Sequence, residues 1–210
     1  MNSCILRGTD LEVSPICLGT PEYGSSITPA DSFRLMDAFV DLGGNFFDTA
    51  HVYADWQCNI KGMSERTLGA WAAARKCRDR VILATKGGCF TAEDPVPRLA
   101  PEQIIGDLKE GLKRLQTDRV DLYWLHRDDP ERRSVAEMMD TLDDLRRQGL
   151  IRWYAASNWS PARLWEASEY AADRGIAPFV ASQIQWSLAT MNPDAISDQT
   201  LQHMDENALV

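Results

Sequence analysis

The segment that decides the fold of this chain is Val120-Asp121-Leu122-Tyr123-Trp124-Leu125-His126, a largely apolar run that ends on a polar side chain. A run of seven residues rich in aromatic and β-branched types favours a strand over a helix. Such a run is typical of a parallel strand buried on both faces. Five other segments share these properties, and the predicted strands are Pro15–Gly19, Asn45–Thr49, Val81–Lys86, Val120–His126, Ile151–Ser157 and Pro178–Gln185.

Amphipathic segments with helix start signals separate these strands. The predicted helices begin near Thr28-Pro29, Ser64-Glu65, Pro101, Ser134 and Ser160-Pro161. Regular alternation of strand and helix predicts right-handed βαβ units around a parallel sheet. A small hairpin is expected before the first strand, at residues 5–13. The alternation leaves open whether the sheet is open or closed into a barrel.

Composition limits the class of protein. A length of 210 residues and an apolar fraction of 44% suit one globular domain. The formal net charge of −9 argues against a generic nucleic-acid or anionic-membrane binder. The N-terminal residues have no apolar targeting segment, and no stretch is long enough to span a membrane. Five cysteines without a C-x-x-C spacing indicate reduced thiols in a cytoplasmic protein, neither disulfides nor a zinc site.

Polar residues collect at the carboxyl ends of the predicted strands. Asp48, Lys86, His126 and the pair Ser157-Asn158 end successive strands. In a parallel barrel these ends share one rim, where catalytic residues collect, whereas an open sheet gathers them only near its switch point. A lone Asp at a strand end is more often a turn or cap residue, and a lone Lys or His is more often solvated or hydrogen-bonded. The hypothesis of a catalytic site therefore depends on their convergence.

The chemistry of these side chains suits proton transfer. An ammonium such as that of Lys86 lowers the pKa of a nearby phenol, and a carboxylate such as that of Asp48 holds the ammonium in place. Tyr53 follows Asp48 by five residues and can supply the phenol. The imidazole of His126 can polarise a carbonyl group.

At this point the chain resembles the aldo-keto reductase family. The matching segments are Gly43–Tyr53, Gly62–Glu65 with Leu68-Gly69, Val81–Lys86, Val120–His126, Gln148–Arg152 and Ala156–Asn158. The resemblance implies a (β/α)8 TIM barrel, one domain over residues 1–210. It also implies an oxidoreductase that reduces aldehydes or ketones with NADPH, with NADH as the alternative cofactor.

The resemblance assigns a role to each matching residue. Tyr53 matches the family's proton donor, Lys86 and Asp48 match the pair that tunes it, and His126 matches the residue that orients the substrate carbonyl. The positions expected to bind the cofactor are Gly19, Thr20, Asp48, Ser157, Asn158, Gln183 and Trp186. Trp186 stands where the family usually has a tyrosine stacked on the nicotinamide, and an indole preserves a flat face for stacking.

Substrate residues are less clearly marked. Three aromatic residues in the loops after the predicted strands are candidates for lining an apolar substrate pocket: Tyr23, Trp56 and Phe90. Core packing is an equally good interpretation of them. Cys89 reads as a small buried thiol, and His51 as a loop histidine without a family role.

Six strands are visible, whereas the barrel has eight. Two more βα units require about 60 further residues. We therefore expect a C-terminally truncated aldo-keto reductase that lacks strands seven and eight and the loop that grips the cofactor phosphates.

Two other functions remain open from the sequence. Lys86 can act as the nucleophile of a Schiff-base lyase on a similar barrel. Alternatively, the chain can be a non-enzymatic cofactor-binding or partner-binding subunit, as in the aldo-keto reductase-like potassium-channel β-subunits.

Overall fold

Strands and helices alternate through residues 1–92 and 94–184, which a computed structural model describes. The strands are β1 (Cys4–Ile5), β2 (Glu12–Val13), β3 (Cys17–Gly19), β4 (Phe46–Asp48), β5 (Ile82–Gly87), β6 (Val120–Leu125), β7 (Ile151–Ser157) and β8 (Ser182–Gln183). The helices are α1 (Pro29–Asp41), α2 (Met63–Arg75), α3 (Pro101–Leu115), α4 (Val135–Arg147) and α5 (Pro161–Arg174). A short 3-10 helix, Arg78–Arg80, precedes β5.

The sheet confirms the predicted α/β architecture. Strands β3 to β8 pair in chain order, and every pair is parallel. The sheet curls into a half-barrel, so the described residues form a partial (β/α)8 barrel of six strands. Its register sets Gly19 opposite Asp48 and Ser157 opposite Gln183. The polar strand ends therefore lie on one rim of the sheet.

Two apolar clusters stabilise the two faces of the sheet. The larger cluster packs the helices against the outer face and includes Phe47, Trp71 and Leu108. The smaller one covers the inner face, where Leu11 and Val13 pack with β-strand residues such as Ala84 and Leu122. The antiparallel hairpin β1–β2 supplies Val13, and Leu11 lies just before β2. Burial on both faces explains why the strands read as continuous apolar runs.

Side-chain caps start three of the helices where the sequence predicts them. Thr28, Ser134 and Ser160 each accept a hydrogen bond from the backbone N–H three residues later. Such caps satisfy backbone donors that the first turn leaves unpaired. Within residues 1–92 and 94–184, no helix has the length and apolar character that crossing a membrane requires.

The second helix begins close to the predicted Ser64-Glu65, but Ser64 does not cap it. Gly62, with φ at +67°, precedes α2, and no side chain caps it. Ser64 is fully buried, and its Oγ lies 2.8 Å from Thr20 Oγ1 and 2.7 Å from Thr49 Oγ1. The serine therefore ties α2 to the chain that follows β3 and β4, a long-range role that a local capping pattern does not reveal.

The sixth strand is shorter than the predicted Pro178–Gln185. Only Ser182 and Gln183 join the ladder, and Gln185 lies outside the described residues. Proline has no N–H to donate to a ladder. Phe179 packs edge-on against the rings of Tyr154 and Trp159, with centroid distances of 6.0 and 5.0 Å. The Val180 N–H still donates to the Tyr154 carbonyl oxygen at 3.2 Å, so this part of the segment packs on the core and also bonds to β7.

Candidate active site

A buried ion pair joins the ends of β4 and β5. Lys86 is 1% exposed, and its Nζ forms an ion pair with Asp48 Oδ2 and donates to the carbonyl oxygen of Thr49 at 3.0 Å. Gln183 Nε2, on β8, donates to the same carboxylate oxygen at 3.3 Å. The other oxygen, Asp48 Oδ1, is buried without a hydrogen-bond partner among the described residues. A buried acceptor without a partner is rare and marks a place where a ligand or water can bind.

Tyr53 and His126 stand beside this pair. Tyr53 lies on the turn after β4, and Lys86 Nζ is 4.7 Å from the centroid of its ring. His126 follows β6, and its ring meets that of Tyr53 edge-on with centroids 5.7 Å apart. The structure thus brings together the four predicted catalytic residues, which the sequence spreads over almost 80 positions.

The protonation of Lys86 and that of His126 differ. Burial alone lowers the pKa of the Lys86 ammonium, but the charges of Asp48 and Tyr53 and their hydrogen bonding outweigh burial and raise it. For His126, burial is the main cause of a pKa well below its ordinary value, and the charges of Lys86 and Arg127 add to it. The site therefore holds a charged lysine and a neutral imidazole near pH 7.

His51 fixes the loop that carries Tyr53 to the neighbouring strand β5 and helix α3. The His51 backbone N–H donates to the Lys86 carbonyl oxygen at 2.9 Å, and the His51 carbonyl oxygen accepts from Arg114 Nη1 at 3.2 Å. The His51 ring is 3.0 Å from Glu110 Oε2 through Nε2. His51 read as a loop residue without a role, whereas the structure buries it as an anchor of the loop.

Arg114 belongs to a second buried ion pair, which sequence reasoning missed. Its Nη1 is 3.2 Å from Glu65 Oε2, while Thr85 Oγ1 donates to Glu65 Oε1 at 2.7 Å. Two glycines leave space for the pair. A Cβ on Gly62 would lie 2.5 Å from Arg114 Cδ, and one on Gly111 would lie 2.7 Å from Glu65 Oε1. Gly62 and Gly111 are visible in the sequence, but their contacts with the pair appear only in the structure.

The predicted cofactor residues that the structure describes lie along the rim. They differ in whether their polar groups already have hydrogen-bond partners within the protein. Gly19 is exposed at the end of β3, whereas Thr20 is fully buried and its hydroxyl donates to the Asp48 carbonyl oxygen at 3.0 Å. Thr20 thus already has an internal partner. Trp186 lies outside the described residues.

The ends of β7 and β8 offer polar groups that suit an amide ligand. Ser157 is 2% exposed and pairs in register with Gln183. Asn158 Nδ2 donates to Ser157 Oγ at 3.0 Å, and Asn158 has a φ of +58° that directs the chain away from the strand. Together with the unpartnered Asp48 Oδ1, these amide and hydroxyl groups fit the carboxamide of a nicotinamide, which both donates and accepts hydrogen bonds.

A cavity of about 390 Å³ opens beside Tyr53 and His126. This volume is within the usual range for small-molecule sites. Its lining is formed by Val52, Tyr53, Asp55, Trp56, Lys61, Cys89, Phe90, Thr91, Ala92, His126 and Arg127. Three aromatic rings and three charged side chains in one cavity suit a flat ligand with a polar substituent.

Two of the three expected substrate residues line this cavity. Trp56 and Phe90 are 61% and 44% exposed, and Trp56 meets the Tyr53 ring edge-on at 6.1 Å. Tyr23 is 4% exposed and belongs to the large core cluster, away from the cavity lining. For Tyr23 the core interpretation is therefore the better one. Cys89 is buried at the cavity wall, and burial raises the pKa of its thiol.

Comparison with known proteins identifies relatives of this chain. Over 199 residues the chain is 33% identical to YrpG, an uncharacterized oxidoreductase of Bacillus subtilis, covering 90% of this chain and 59% of that protein. It is 31% identical to the norsolorinic acid reductase of Aspergillus flavus, with 85% and 48% covered. It is also 31% identical to the NADP(+) aryl-alcohol dehydrogenase of Phanerodontia chrysosporium, with 86% and 50% covered. The chain thus spans between about half and three fifths of the length of these relatives.

A solved structure and a family model complete the comparison. The holo form of the aldo-keto reductase AKR11C1 from Bacillus halodurans superposes with a TM-score of 0.76 at 28% identity, covering 93% of this chain and 61% of that one. The family model described as aldo/keto reductase matches residues 15–207. This chain belongs to the aldo/keto reductase family.

Proposed function

We propose that the protein is a nicotinamide-dependent oxidoreductase that reduces aldehydes or ketones to alcohols, with NADPH as its cofactor. The observation that carries the proposal is that Tyr53 lies beside one protonated, charged side chain and one neutral side chain. On one side is the charged ammonium of Lys86, 4.7 Å from the ring, and on the other is the neutral imidazole of His126. The Tyr53 phenol thus lies where it can exchange a proton with a bound substrate while a charged and a neutral side chain flank it.

Each residue has a defined task under this proposal. Tyr53 gives its proton to the carbonyl oxygen of the substrate while Asp48 holds the Lys86 ammonium in place. The neutral His126 directs the carbonyl toward Tyr53 through a hydrogen bond. Ser157, Asn158 and Gln183 hold the carboxamide of the nicotinamide, which supplies the hydride when bound. Gly19, Thr20 and Trp186 are proposed as further cofactor contacts.

We assign aromatic carbonyl compounds as the substrate class. Trp56 and Phe90 give the cavity flat apolar walls, on which an aromatic ring packs well. The names of two relatives, an aryl-alcohol dehydrogenase and a norsolorinic acid reductase, point in the same direction.

The state of Lys86 argues against a Schiff-base lyase. A nucleophilic lysine needs a neutral amine, which enzymes obtain by lowering its pKa. Here the pKa of Lys86 is raised, and the ammonium is paired with Asp48. A non-enzymatic cofactor-binding subunit is distinguished from the reductase by turnover alone.

The test is Tyr53→Phe, with turnover of benzaldehyde followed by the absorbance of reduced nicotinamide. Loss of the proton donor lowers turnover by about 10²- to 10⁴-fold. Binding of NADPH, measured by calorimetry, stays unchanged because the phenol does not hold the cofactor. Tyr170→Phe on α5 is the matched control, and it retains full turnover. Turnover near that of the parent in Tyr53→Phe overturns the assignment, and a parent that binds NADPH without turnover is the non-enzymatic subunit.

A further inference from the structure

The cavity beside Tyr53 and His126 has charged residues in its lining. They are Lys61, Arg127 and Asp55. The Asp55 carboxylate accepts a hydrogen bond from the Gly62 N–H at 2.6 Å. The guanidinium of Arg127 attracts ligands that carry negative charge.

Arg127 is held rigidly at this cavity. Its guanidinium lies over the Phe90 ring, with Cζ 5.6 Å from the centroid, and Nη1 donates to the His126 carbonyl oxygen at 3.2 Å. The Arg127 carbonyl oxygen accepts from Trp159 Nε1 at 3.1 Å, which fixes the backbone. A guanidinium held in this way is pre-organised, so binding an anion costs little side-chain entropy.

Most of the hydrogen-bonding capacity of Arg127 is unused. A guanidinium has five N–H donors. In Arg127 the hydrogen bond to the His126 carbonyl oxygen uses one of them. No carboxylate among residues 1–92 and 94–184 forms an ion pair with it. Three other arginines all have such partners: Arg132 pairs with Asp129 and Arg133 with Glu137 in the segment that follows Arg127, and Arg163 of α5 pairs with Asp128. Arg127 is therefore a half-buried cation in the cavity lining, and most of its N–H donors have no partner among the described residues.

We propose that Arg127 forms an anion subsite that selects aromatic carbonyl substrates carrying a carboxylate. The inference rests on the proposed function, which places the carbonyl at Tyr53 and His126. Arg127 directly follows His126 in the chain, so the reacting group and the anion are bound in one cavity. The walls between them are aromatic and suit the ring that joins the two groups. A guanidinium binds a carboxylate through two parallel hydrogen bonds, which gives geometric selectivity as well as affinity.

The subsite is tested by binding, without turnover. Calorimetry compares 4-(hydroxymethyl)benzoate with its methyl ester, which has the same ring and alcohol but no charge. We expect the carboxylate to bind about tenfold more tightly than the ester. Arg127→Gln removes this preference and leaves affinity for the ester unchanged, whereas Arg127→Lys retains part of it. Circular dichroism checks that each variant is folded.

Arg132→Gln is the matched control, because it removes one positive charge from the same loop at a residue outside the cavity lining. This variant keeps the preference for the carboxylate. Equal loss in Arg127→Gln and Arg132→Gln overturns the subsite and indicates a general electrostatic effect. Equal affinity of the parent for acid and ester also overturns it, as does the absence of binding of either compound.

Failure of the subsite is separable from failure of the proposed function. A chain that prefers the carboxylate but does not oxidise NADPH with 4-carboxybenzaldehyde retains the subsite and is not a reductase. A chain that reduces 4-carboxybenzaldehyde and its methyl ester with equal kcat/KM is a reductase without the anion subsite.

Discussion

The two buried ion pairs on either side of β5 differ in what surrounds them. Lys86 and Asp48 lie on the inner face of the sheet, and Arg114 and Glu65 lie between the sheet and the helices. Adjacent residues place them there, because Thr85, which binds Glu65, points to the face opposite Lys86. The side chains are almost equally buried, with exposed fractions of 0% and 7% in the first pair and 9% and 0% in the second.

Hydrogen bonding separates the two pairs. Both oxygens of Glu65 have partners, and Arg114 also binds the His51 carbonyl oxygen and Glu110. Asp48 leaves Oδ1 without a partner within the described residues. Burial alone therefore does not distinguish the Lys86–Asp48 pair from the Arg114–Glu65 pair. The Lys86–Asp48 pair is distinguished by an unused hydrogen-bond acceptor, Asp48 Oδ1, and by the Tyr53 phenol that lies beside the pair.

The largest effect on stability is expected when the Arg114–Glu65 pair, in which both carboxylate oxygens have partners, is broken. Arg114→Met leaves the Glu65 carboxyl fully buried without its cation, which costs about 3–5 kcal/mol of the free energy of unfolding. Urea denaturation followed by circular dichroism measures this change. Arg80→Met, at an exposed arginine, is the control and changes stability by less than about 0.5 kcal/mol.

A double variant tests the cause of this loss. Adding Glu65→Gln to Arg114→Met removes the unpaired charge while keeping an acceptor for Thr85, so part of the lost stability returns. A loss in Arg114→Met of less than about 1 kcal/mol contradicts a structural role for the pair.

The contrast also explains what the sequence could predict. The sequence predicts that Asp48, Lys86 and His126 lie close together, because each ends an apolar run and parallel strands bring such ends to one rim. It adds Tyr53 to this group because Tyr53 follows Asp48 closely. These inferences need only local pattern and topology.

The second pair could not be found in this way. Glu65 and Arg114 lie on different helices, 49 positions apart, and each resembles an ordinary charged residue of a helix surface. Ser64 looked like a cap because serine at a helix start usually is one. Helix packing turns all three inward, and a pattern in one helix contains no information about its neighbour. For the same reason Tyr23 could not be assigned to core or pocket.

A smaller loss of stability is expected when the Lys86–Asp48 pair is broken. Lys86→Met leaves Asp48 unpaired, but its side chain retains 7% exposure and the hydrogen bond from Gln183 Nε2. We expect a cost of about 1–3 kcal/mol, below that of Arg114→Met. The same denaturation experiment measures it, with Lys109→Met on the exposed side of α3 as the control. A cost equal to or above that of Arg114→Met removes the distinction between the two pairs.

The smallest effect concerns His126 and depends on pH. Burial, and then the charges of Lys86 and Arg127, hold the pKa of His126 well below its ordinary value of 6.5. Below pH 6.5 the unfolded chain therefore takes up a proton at this histidine that the folded chain refuses. The unfolded state binds more protons, so the free energy of unfolding falls as the pH decreases through this range.

His126→Gln isolates this contribution. Denaturation of the parent and the variant is compared at several pH values between about 7.5 and about 5.5. The parent loses more stability than the variant on acidification, and the gap between them is constant above the unfolded pKa. In Lys86→Met the acid sensitivity of His126 weakens, because the second cause of its lowered pKa is gone. Identical pH dependence in parent and His126→Gln would mean that the imidazole already accepts a proton in the folded state, which removes the neutral partner that the proposed orientation of the carbonyl requires.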